Sequence, residues 1–117
     1  MGAASSAKIL ATGSAWRLTG RAAAGRRLVG AINHGGEDEQ TIAATFLTKA
    51  GNRAVPLIRE GLAADAPSPM LVDILGSIGT DTARMELQRV VVSGRHDLAA
   101  AARQALLTLD EIDRHQS

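Results

Sequence analysis

Apolar residues recur along the chain at helical spacing. Ala43, Phe46, Leu47 and Ala50 follow i, i+3, i+4, i+7; the spacing returns 28 residues later at Leu71, Ile74, Leu75 and Ile78, and 31 residues after that at Ala102, Ala105, Leu106 and Leu109. Each set is the stripe that an amphipathic helix buries. A second series interleaves with the first: Ala24, Leu28 and Ile32, then Ala54, Ile58 and Leu62, then Ala83, Leu87 and Val91, at i, i+4, i+8. Two kinds of helix therefore alternate, A then B. A repeat of roughly 30 residues marks a stack of helical hairpins, because one hairpin alone has nothing to bury its stripe against.

The punctuation between the stripes agrees. Gly51 and Gly79 follow A helices, where glycine takes a left-handed conformation without steric cost. Pro67 and Pro69 flank Ser68, and Asp65, Ser68 and Asp97 are expected as helix caps. His34-Gly35-Gly36 and Ser93-Gly94 end B helices. The pattern predicts helices over about 3–12, 15–33, 38–50, 53–64, 69–78, 81–92 and 96–113.

Leu75-Gly76-Ser77-Ile78-Gly79 followed by Ala83 and Leu87, Gly51 to Ile58 with its Ala-Val-Pro-Leu core, and Arg103-Gln104-Ala105-Leu106 resemble the short HEAT-like repeats of phycobilin-lyase-related proteins. The resemblance covers roughly residues 22–110. The spacing from closing glycine to next alanine is one residue shorter at Gly51–Ala54 than at Gly79–Ala83, which leaves the first turn's geometry open. The expected fold is all-α: a short right-handed α-solenoid of antiparallel helix hairpins, about three HEAT-like repeats. Residues 1–117 form one domain, with 1–20 as a flexible or capping arm. The last A helix has no B helix after it, so an open apolar end is expected, lined by Leu98, Leu107 and Ile112.

Composition narrows the core and the chemistry. With one Trp, one Phe and no Tyr, the core must be filled by Ala, Leu, Ile and Val, which suits close packing of helix on helix. Without cysteine there is no disulfide, thiolate metal site or Cys nucleophile, in keeping with a cytoplasmic setting. No apolar run reaches the roughly 20 residues that span a bilayer.

Charge is unevenly spread. Residues 1–36 carry Lys8, Arg17, Arg21, Arg26 and Arg27 and no acid, whereas residues 37–117 hold all 12 acids against eight Lys or Arg. An acid-free basic start also resembles a mitochondrial presequence, although Leu28 and Ile32 place its second half in the repeat. Arg17, Arg21, Arg26 and Arg27 spread over a broad helix face, a candidate contact for an anionic surface.

Candidate chemistry is sparse. His34, His96 and His115 have no metal-ligand spacing, and no phosphate loop or nucleophile elbow is present, so neither metal nor cofactor is expected. The acidic run Glu37-Asp38-Glu39 opens a helix, where negative charge complements the dipole. The expected function is that of a non-enzymatic scaffold or adaptor that binds a protein partner, self-association included. Arg53, Arg59 and Arg84 on the B helices join the N-terminal arginines, Leu107 and Ile112 as candidate contacts. The alternative is a nucleic-acid-binding module that uses the basic N-terminal helix.

Overall fold

The computed structural model of the chain describes residues 8–12 and 22–116. Trp16, Arg17 and Arg21, and the predicted helix segments before residue 8 and within 13–21, lie outside the described residues. A helical segment at 8–12 is followed by α1 (Ala22–His34), α2 (Glu37–Ala50), α3 (Val55–Leu62), α4 (Met70–Ile78), α5 (Asp81–Val91) and α6 (His96–Gln116), with a 3-10 turn at Gly51–Arg53. Among the described residues there is no strand, and the chain is all-α as its periodicity predicts.

Local chemistry sets the helix ends. At the start of α2, Gly36 is extended and Glu39 Oε1 accepts from its N–H at 3.4 Å, while Glu37 and Asp38 complete a negative first turn beside unpaired amide groups. Pro56 sits in the first turn of α3, where its missing N–H costs nothing. Ser68 Oγ accepts from Met70 N–H at 3.2 Å ahead of α4. Thr80, which is not among the caps expected from sequence, accepts from Ala83 N–H at 3.2 Å and starts α5. Asp97 lies inside the first turn of α6 rather than at its cap, and Asp65 lies in the turn after α3. The two glycine turns differ: Gly79 adopts the left-handed cap that ends α4, whereas Gly51, one residue nearer its alanine, opens a 3-10 turn.

The helices pack as two layers. In one, α1 lies against α3 and α3 against α5; in the other, α2 lies against α4 and α4 against α6. Between layers, α1 packs on α2, α4 on both α3 and α5, and α5 on α6. The central stripe residues Leu28, Ile32, Ala43, Leu47, Ala54, Ile58, Leu71, Leu75, Ala83, Leu87 and Ala102 are fully buried between them. Burying each leucine or isoleucine contributes about 1.5–3 kcal/mol relative to leaving it exposed. Ile9, in the 8–12 segment, packs on the same core from outside.

Leu98 corrects the expected open end. It is 2% exposed, because it stands four residues before Ala102 and so extends the buried stripe of α6 back into the first turn. Leu107 and Ile112, by contrast, are 57% and 44% exposed.

Small residues let the axes approach. A Cβ placed on Gly61 of α3 would overlap Val29 Cγ1 of α1 and sit 3.0 Å from Leu71 Cδ1 of α4, so these side chains rest on the backbone of α3. Gly30 has open space around its Cα. The two glycines should therefore respond oppositely to substitution. Gly61→Val is expected to cost about 1–3 kcal/mol through overpacking, and Gly30→Ala to stabilise by about 0.5–1 kcal/mol through helix propensity, both read from urea midpoints.

Candidate interaction surfaces

Arginines on the α1, α3 and α5 layer are tied to carboxylates of this chain. Arg26 Nε lies 3.1 Å from Glu60 Oε1, joining α1 to α3. Arg59 Nε lies 2.6 Å from Glu86 Oε1 and 3.1 Å from Oε2, joining α3 to α5, and Arg89 Nε stands 3.8 Å from the second oxygen. Glu86 is only 3% exposed, so two cations approach a carboxylate that is otherwise cut off from water. Arg84 splits its guanidinium between Asp110 at 3.0 Å and Asp113 at 2.6 Å, clamping α5 to α6. Its side chain is only 20% exposed, which corrects its expected place among the exposed contacts of the B helices; the cause is its turn toward α6.

The other layer carries a trough. Between α2 and α4 a groove of about 470 Å³ is lined by Ala44, Thr45, Thr48, Met70 and Ile74 among others. A second, of about 680 Å³, lies between α4 and α6 over Gly76, Ala101, Ala105 and Thr108, with Ile112 at its side. Asp73 and Ser77 of α4 line both, so the two grooves meet across one helix. Thr41, Thr45 and Thr108 donate their hydroxyls to carbonyls one turn back, at 3.0 Å each, which satisfies these donors within their own helices. At the junction the exposed Asp73 supplies negative charge.

The residues singled out from sequence are thus scattered. Arg26, Arg59 and Arg84 act within the chain, and Arg53 is exposed but engaged. Arg27 is exposed on α1, Leu107 on α6, and Ile112 lines the α4–α6 groove. His34, His96 and His115 are exposed at or near helix ends. The trough was missed, although its signal was present: Thr45, Asp73 and Gln104, then Lys49, Ser77 and Thr108, are polar positions repeating at the intervals of the A stripes.

No protein-family model, curated protein or solved structure matches this chain.

The buried carboxylate offers a direct test of the ion-pair layer. Arg59→Met leaves Glu86 with Arg89 alone and should cost about 1–3 kcal/mol, whereas adding Glu86→Met removes the stranded charge and should recover most of that loss. Denaturant unfolding of both single variants and the double variant measures the difference.

Proposed function

We propose that the chain is a short right-handed α-solenoid of HEAT-like hairpins that serves as a non-enzymatic protein-binding scaffold or adaptor. The single observation that carries this reading is the trough crossing α2, α4 and α6. It offers a strip lined by apolar and hydroxyl side chains across three successive helices of one layer, with the carboxylate of Asp73 where its grooves meet, Lys49 on the α2 side and the Arg84–Asp113 pair on the α6 side. Such a strip suits a segment of another protein that lays small apolar side chains into the grooves and directs a cation at Asp73. The alternating stripes and two-layer packing support the repeat architecture, and a stack of this kind presents successive helices as one extended surface. Self-paired arginines on the opposite layer favour the trough over that layer as the docking face, since recruiting them would first break intrachain pairs.

Site-specific photocrosslinking in source-cell extract tests the proposal. A photoreactive residue replacing Ser77 should capture one discrete protein, a probe replacing Gln88 on α5 should not, and Asp73→Lys should abolish the Ser77 product while leaving helicity unchanged. Equal labelling from both probes, a Ser77 product indifferent to Asp73→Lys, or a product containing nucleic acid would overturn it.

A further inference from the structure

The exposed face of α6 carries information that the trough does not use. Ala43, Leu71 and Ala102 open the repeating i, i+3, i+4, i+7 sets, and in α2 and α4 the fifth residue after that opening position faces the next helix of its layer. Thr48, five after Ala43, lines the groove toward α4. Gly76, five after Leu71, lies against α6, where a Cβ built on it would stand 3.2 Å from Ala105 Cβ. The same register in α6, five after Ala102, is Leu107, and none of the described helices covers it. At this position α2 and α4 carry small residues that let a neighbour approach, whereas α6 carries a large apolar side chain that is 57% exposed.

The charges around Leu107 have opposite signs in opposite directions. Arg103 precedes it by one helical turn and Glu111 follows it by one, and both are exposed. The intrachain ion pairs described above use neither. We infer that a second copy of this chain docks here, α6 against α6, antiparallel about a two-fold axis at Leu107. In that arrangement Leu107 packs on Leu107 of the second copy, and each Arg103 stands opposite Glu111 of the other copy, so the favourable pair forms twice. A parallel approach would oppose Arg103 with Arg103 and Glu111 with Glu111, and like charges reject it. Met85 of α5 and Val92 just past its end, both exposed, add apolar surface on the helix that packs beside α6.

This interface rests on the same repeat register as the proposed scaffold but uses a different face from the trough. Sedimentation equilibrium of the full chain from micromolar to millimolar concentration should show a monomer–dimer equilibrium. Arg103→Glu and Glu111→Arg alone should each weaken dimerisation by about tenfold or more, since each places two like-charge pairs at the interface. The combined charge swap should restore it, and Leu107→Asp should abolish it. All four variants alter exposed residues, and circular dichroism checks that they fold. A monomer throughout, a dimer indifferent to these changes, a double variant no better than the singles, or open-ended growth of larger species would overturn the two-fold interface. Any of these results leaves the Ser77 crosslink as it was, so the two proposals fail separately.

Discussion

A chain with a single Phe and no Tyr has few bulky rings with which to wedge helices apart and fill the space between them. Its core must instead come from aliphatic side chains whose burial depends on helix axes lying close together. Gly61 shows where this constraint is tightest, with Val29 of α1 and Leu71 of α4 seated on the backbone of α3. Gly76 against Ala105 repeats the device between α4 and α6. Once these approaches are made, the stripes meet and the two layers have little freedom to slide. The grooves of the trough lie along the same helix junctions, where small residues line part of the outer surface.

Electrostatics on the opposite layer answers to the same geometry. Helices held this close bring Arg26, Arg59 and Arg84 within reach of acids 26–34 residues away in sequence. Exposed pairs such as Arg26–Glu60 contribute little to stability. The Glu86 carboxylate is different, because once buried it depends on Arg59 and Arg89 to compensate for lost water. Arginines that resemble hooks for a partner are largely fasteners between neighbouring helices.

Helical periodicity is a local property, and for that reason the helices, their stripes and the glycine turns were legible in the sequence. The one residue missing between Gly51 and Ala54 foreshadowed a different turn, which the structure resolves as a 3-10 segment. Leu98 was misplaced because the stripe of α6 was begun at Ala102, when a step back of four residues would have included it. Thr80, a hydroxyl residue three before Ala83, has the chemistry and spacing of a cap in the sequence itself. Partners of the arginines depend on how each helix is rotated about its axis, and sequence spacing alone does not fix that angle. The trough had a periodic polar signal, but only packing tells which polar positions of a helix border a groove and which meet open water.

Asn33, at the end of α1, donates through Nδ2 to the Gly61 carbonyl at 3.2 Å and accepts through Oδ1 from Ser68 N–H at 2.8 Å. Arg95, before α6, donates in turn to the Ala64 carbonyl at 3.1 Å. On the other edge, the Thr80 hydroxyl donates to Asn52 Oδ1 at 2.5 Å, joining the two glycine turns. Connections that would flex independently are stitched to one another, so a displacement in one is passed along the edge to the next. Because Asn33 holds Ser68, whose hydroxyl accepts from the Met70 N–H at the start of α4, the end of α1 helps set where α4 begins and hence where Met70 and Asp73 stand. The trough is mechanically linked to a helix that does not line it, and strain applied to α1 would be felt there as a change in groove shape.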